Sequence, residues 1–154
     1  MNNKSDLLLL VAAATSLIGG MVSYILFRVT PTHFELLMAD LLGIPALLEI
    51  YIRLDQEQMH MLMTCYAADF FWMFSLVTGL FVLLKTNVAP AAVAFRSAFL
   101  SLLVGLLLEL LQRSKVISGT FDFYDLITFL IAAVMAVIIC IKTETREKKY
   151  VSLS

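Results

Sequence analysis

The run AAVAFRSAFLSLLVGLLLELL, residues 91–111, decides the class of this protein. Its 21 residues carry only two charges, Arg96 near the start and Glu109 near the end. About 20 apolar residues are needed to cross a bilayer as an α-helix. In hydrocarbon every backbone polar group has to be satisfied internally, so a run of this length reads as a membrane helix. Outward from it, three similar runs appear: Leu7–Phe27, Met61–Leu84 with Asp69 inside it, and Leu126–Ile141. The last is short and reaches the interface through Phe123 and Tyr124 or lies buried in the bundle. The whole-chain figures agree. Among 154 residues 61% are apolar and 15% charged, and the mean hydropathy is +0.93. Soluble domains average about 45–50% apolar and about 25% charged. A net charge of −1 without a basic patch argues against nucleic acid as a partner.

The sequence therefore predicts an all-α, polytopic membrane protein: a four-helix transmembrane bundle forming a single membrane domain over residues 1–154. Lys4 ahead of an apolar stretch with Ala12, Ala13 and Ala14 resembles a signal peptide. That stretch continues without a polar break to Phe27, so it reads as an uncleaved first span. The segment 29–60 is different. Phe34–Ile52 is apolar but contains Glu35, Asp40 and Glu49, and Gly43 and Pro45 divide it. Each charge would cost roughly 2.5–3.5 kcal/mol at mid-membrane. Two amphipathic helices on the membrane surface are the preferred reading, with a re-entrant segment or a fifth span as alternatives. With four spans, Lys4, Lys85, Arg96, Lys142, Arg146, Lys148 and Lys149 fall on one side. Arg28, Arg53, Arg113 and Lys115 fall on the other. Seven against four places both termini in the cytoplasm.

This topology gathers carboxylates toward the outer face. Asp69 enters from span two, Glu109 closes span three, and Asp122 and Asp125 open span four. Ionisable groups inside a membrane usually face a bundle interior or a wet cavity, and are candidates for function. Structural roles compete at each position. Asp122 and Asp125 suit helix caps. Glu109 shares a face with Gln112 and is spaced to pair with Arg113. Trp72 lies three residues from Asp69 on the same face, as a packing aromatic or as a wall for a ligand. Toward the cytoplasmic side only Arg96 interrupts the apolar runs. Metal binding is not expected: His33 and His60 lack any paired spacing, and no nucleotide or nucleophile motif occurs. No cofactor is expected either. Cys65 and Cys140 sit in apolar runs, as buried small hydrophobes. Gly19, Gly20 and Gly105 suit close helix packing.

Glu109-Leu-Leu-Gln112, followed by Gly119-Thr-Phe-Asp122-Phe-Tyr-Asp125, resembles the VanZ-like family of small bacterial membrane proteins. Ala68-Asp69-Phe-Phe-Trp72 is similar to that family's aspartate-x-x-tryptophan element, and Arg28 to its basic residue after span one. Departures are Thr120, Phe129 and Ala132, where the family often has arginine, asparagine and glycine. The resemblance implies a trimmed polar network and a protein of the bacterial cytoplasmic membrane. It also implies a link to the cell envelope, since the founding member is associated with resistance to a lipid-bearing glycopeptide antibiotic. The expected ligand site comprises Asp69, Trp72, Glu109, Gln112, Asp122, Asp125, Arg28 and Arg113. Its expected partners are membrane lipids or an amphiphile, such as a lipid-linked cell-wall precursor or a lipopeptide, and a homo-oligomer stays open. A carboxylate-dependent enzyme acting on an envelope lipid, a small transporter and a purely structural protein remain alternatives.

Overall fold

The computed structural model describes residues 4–27, 66–85, 88–117 and 122–151. These form four helices: α1 (Lys4–Phe27), α2 (Ala68–Leu83), α3 (Pro90–Arg113) and α4 (Phe123–Val151). Three of them, α1, α3 and α4, are long and apolar enough to cross a membrane; α2 is a shorter apolar helix. The described residues contain no strand. The predicted segment 29–60, and Arg28 with it, lies outside the described residues.

Helix α2 is the hub. It packs against α1, α3 and α4; α3 also packs on α4, and α1 touches α4 only lightly. Each helix turns a face of small or apolar residues inward at helical spacing. On α1 this face is Leu9, Ala13, Ser16 and Gly20. A methyl group on Gly20 would stand 3.2 Å from both the Ala68 carbonyl oxygen and the Phe71 Cβ, so α1 and α2 meet backbone to backbone there. Ser16 Oγ donates to the Phe71 carbonyl at 3.0 Å and ties the same crossing. On α3 the inward face is Val93, Ser97, Ser101, Gly105 and Glu109, each four residues from the last. The Ser97 and Ser101 hydroxyls donate to carbonyls one turn back, at 2.9 and 2.8 Å, and Thr78 does the same on α2. These buried hydroxyls are satisfied within their own helices and leave the interface free for packing. On α4, Ala132, Ala133 and Ala136 are fully enclosed between Phe129 and Val137. The opposite faces expose Leu, Val, Ile and Phe, among them Leu7, Ile18, Phe95, Phe99, Leu107 and Ile131. Such a surface suits acyl chains, whereas a soluble protein rarely exposes so large an apolar area.

The helix ends show where hydropathy and helicity part. The apolar run of the last span stops at Ile141, yet α4 continues to Val151. Its extension, KTETREKKY, is rich in good helix formers and contains neither glycine nor proline. The lipid-compatible stretch ends there, but nothing ends the helix. At its start, Asp122 Oδ1 accepts from the Tyr124 N–H at 3.0 Å and so caps α4.

Helix α3 begins with Pro90 in its first turn, where the missing N–H is harmless. It ends in a Schellman motif: Val116 N–H donates to the Leu111 carbonyl at 3.0 Å, and Lys115 N–H to the Gln112 carbonyl at 2.9 Å. Lys115 holds the left-handed position with φ 60°. Glycine is the usual occupant, because a Cβ is strained there. Lys115→Gly should raise stability by about 0.5 kcal/mol, the relieved strain less the added freedom of the unfolded chain. Thermal unfolding of the reconstituted protein checks this; a loss of stability would mean that the lysine side chain contributes more than its backbone strain costs.

Candidate functional site

The antiparallel alternation of the helices places the start of α2, the end of α3 and the start of α4 at one end of the bundle. Asp69 stands in the first turn of α2, Glu109 in the last part of α3, and Asp125 in the first turn of α4. The Asp69 and Asp125 carboxyl groups lie close together, and the charge of Glu109 acts on Asp69 while that of Asp125 acts on Glu109. Three carboxyl groups from three helices therefore face one another.

Two of the three are nearly enclosed: Glu109 is 4% exposed and Asp125 8%. The Asp122 backbone N–H donates to the Glu109 carboxylate, but Glu109 Oε2 has no hydrogen-bond partner, and neither does Asp125 Oδ1. Buried polar atoms are paired in the great majority of cases, so each exception calls for an explanation. Asp122 stands beside the cluster and is engaged otherwise: besides capping α4, its Oδ2 accepts from the Tyr66 hydroxyl at 3.2 Å. The Tyr66 ring meets Tyr124 edge to face, with centroids 6.2 Å apart.

Below the acids the bundle closes. Trp72, on the Asp69 face of α2, packs against Phe129 with ring centroids 6.0 Å apart. A methyl group on Gly105, one turn before Glu109, would come within 2.9 Å of Met73 Cε and 3.0 Å of Phe129. Met73, Phe129 and the Gly105 backbone thus form an apolar floor beneath the carboxylates.

Of the residues expected at the site, Asp69, Glu109 and Asp125 come together, with Asp122 beside them and Trp72 one turn deeper. Gln112 is half-buried and Arg113 exposed at the end of α3. The i, i+4 spacing of Glu109 and Arg113 allowed an exposed pair, but Glu109 turns into the bundle. Among the described residues no group of three or more His, Cys, Asp or Glu could hold a metal ion.

The opposite end holds a second polar cluster that the sequence did not reveal. Lys85, just past α2, places Nζ 2.6 Å from Asp6 Oδ1 and 2.7 Å from Glu144 Oε2. Ser5 Oγ donates to the same Glu144 oxygen at 3.3 Å. Asp6 and Glu144 are only 7% and 4% exposed. One ammonium thus joins the start of α1, the end of α2 and the lower part of α4. In the linear sequence each of these charges borders an apolar run and looks like an ordinary solvated flank. Only the antiparallel pairing brings them together, since the partners stand 79 and 59 positions apart in the chain.

Burial works against the charge of Lys85, but its hydrogen bonds to Asp6 and Glu144 and their negative charges outweigh that. The ammonium is held above its ordinary value of 10.5. A cation with a raised folded-state pKa contributes stability in full below its unfolded value and loses it as pH climbs through the folded value. The thermal midpoint should therefore hold up to about pH 10 and fall above it, and Lys85→Met should flatten that fall. A midpoint as steep in Lys85→Met as in the wild type would refute the assignment.

No known family, curated protein or solved structure matches the chain.

Proposed function

We propose that this chain is a multi-pass protein of the bacterial cytoplasmic membrane that binds the polar head of an amphiphile at the three-carboxylate end of its bundle. In this reading four spans place both termini in the cytoplasm and the carboxylate end in the outer half of the bilayer. The ligand is a membrane lipid, a lipid-linked cell-wall precursor or a lipopeptide, and binding serves the envelope as the VanZ-like resemblance implies.

One observation carries the reading: two nearly enclosed carboxylate oxygens, Glu109 Oε2 and Asp125 Oδ1, lack a partner. Leaving a buried acceptor unpaired costs about 1–3 kcal/mol, and more when it is charged. Function is the usual reason for such a cost. The surroundings fit an amphiphile. Tyr66, Phe123 and Tyr124 stand at this end, as aromatic residues do at a membrane–water interface. The flanking faces of α3 and α4 expose Leu106, Leu110 and Ile127 to acyl chains. Binding rather than turnover is favoured because the described site offers carboxyl groups and no Ser, Cys or His nucleophile beside them.

Native mass spectrometry of the protein released from its own membranes tests this. The wild type should carry an amphiphile that the Asp69→Asn/Glu109→Gln double variant has lost. Equal loading of the two would remove the acids from the site. Fusing a reporter to the C-terminus, active only in the cytoplasm or only outside, tests the orientation.

A further inference from the structure

We infer that the group recognised at the carboxylate end is a primary ammonium, the protonated amine of an amphiphile lying in the outer leaflet. The inference rests on the binding reading above and narrows its ligand to one chemistry.

The first step is the sign of the missing partner. Carboxylate oxygens only accept hydrogen bonds, so Glu109 Oε2 and Asp125 Oδ1 call for a donor. Phosphate, sulfate and carboxylate head groups are all acceptors and would add negative charge to three acids that already face one another. A cation relieves that mutual repulsion.

The second step is the kind of cation. Among the described residues the acids do not form a group able to hold a metal ion. A quaternary ammonium has no N–H and would leave both oxygens unpaired. A guanidinium is planar and engages one carboxylate with two parallel bonds. Here the open acceptors are divided, one on α3 and one on α4, with Asp69 of α2 as the third carboxyl. A primary ammonium offers diverging N–H donors on a compact charge, so one group can serve two open acceptors that stand on different helices.

The third step is depth. The apolar floor of Met73, Phe129 and Gly105 closes the site from below, so the ammonium enters from the bundle end. The apolar remainder of the ligand lies along the exposed residues of α3 and α4. A free amine from the aqueous phase shares the chemistry of the head but lacks that contact.

The chain's single tryptophan reports on the site, since Trp72 lies one turn from Asp69 and against Phe129. The protein in phosphatidylcholine vesicles is titrated with dodecylammonium, dodecyltrimethylammonium, dodecanol and butylammonium, and Trp72 emission is followed. Dodecylammonium should shift the emission at about tenfold lower concentration than its trimethyl analogue, the effect of losing a charged hydrogen bond. Glu109→Gln should abolish the difference, and the wild-type preference alone already decides the matter should that variant fail to fold. Equal response to the two ammonium compounds, or a response to dodecanol alone, overturns the primary ammonium while leaving an amphiphile site in place. A response to butylammonium as strong as to dodecylammonium overturns the membrane source of the amine. Silence toward all four overturns the amphiphile reading itself and leaves the acids neutralised by protons.

Discussion

Replacing Lys85 by methionine should destabilise the protein by about 3 kcal/mol, the low end for breaking a buried pair, because the lysine is 21% exposed. The ammonium is the common partner of Asp6 and Glu144, at 2.6 and 2.7 Å, and both acids are nearly enclosed. Methionine keeps the length and apolar stem of the lysine and removes only the charge and its donors. Two carboxylates would then face each other across a partly buried gap, with Ser5 as a donor to Glu144. The loss comes from the stranded acids and not from a missing attraction, so neutralising them should restore much of it. Lys85→Met with Asp6→Asn and Glu144→Gln should unfold at nearly the wild-type temperature. Thermal unfolding of the reconstituted protein measures both variants. A single variant as stable as the wild type would show that the cluster is solvated and contributes little, as exposed ion pairs do.

At the other end the sign reverses. Glu109→Met should stabilise the ligand-free protein, by about 1–3 kcal/mol, while abolishing the amphiphile binding proposed above. Glu109 is buried, has an unpartnered oxygen and stands in the field of Asp125. Methionine fills a similar volume beside Gly105 and Phe129 without a charge to desolvate. On the proposed binding role, a coupled gain in stability and loss of amphiphile binding is the signature. If Glu109→Met instead lowers the unfolding temperature as Lys85→Met does, the acid is structural and the site assignment falls. The two ends thus give opposite answers to the removal of a charge, because Lys85 pairs with both acids at its end, whereas Glu109 Oε2 and Asp125 Oδ1 have no hydrogen-bond partner.

The difference between the ends also explains what could be read from the sequence. The three long apolar helices were legible because hydrocarbon tolerates so little polarity that an uninterrupted run has one interpretation. The meeting of Asp69, Glu109 and Asp125 was legible because alternating spans assign each of them to one end, and a charge inside or at the mouth of an apolar run stands out. The Asp122 cap was visible as an aspartate directly before such a run. The Lys85 cluster was not visible, since charges just outside apolar runs are expected to be solvated and carry no mark of their partners. The orientation of Glu109 was ambiguous for a related reason: Arg113, one turn on, offered an exposed partner, and only the packing of α3 on α2 and α4 turns the acid inward. The charged continuation of α4 past Ile141 was missed because hydropathy marks where lipid ends and says nothing about where a helix does.

The enclosed middle of α4, built on Ala132, Ala133 and Ala136, has a consequence for how this protein tolerates change. In most water-soluble interiors the damaging substitutions are truncations, which leave holes where bulky aliphatics stood. Here there is almost no bulk to remove. The vulnerable direction is enlargement, since a leucine at any of these alanines would wedge neighbouring backbones apart. A saturation survey across the bundle should therefore show harsh penalties for growth at these three positions and only small losses, about 1 kcal/mol or less, for their exchange for glycine or serine.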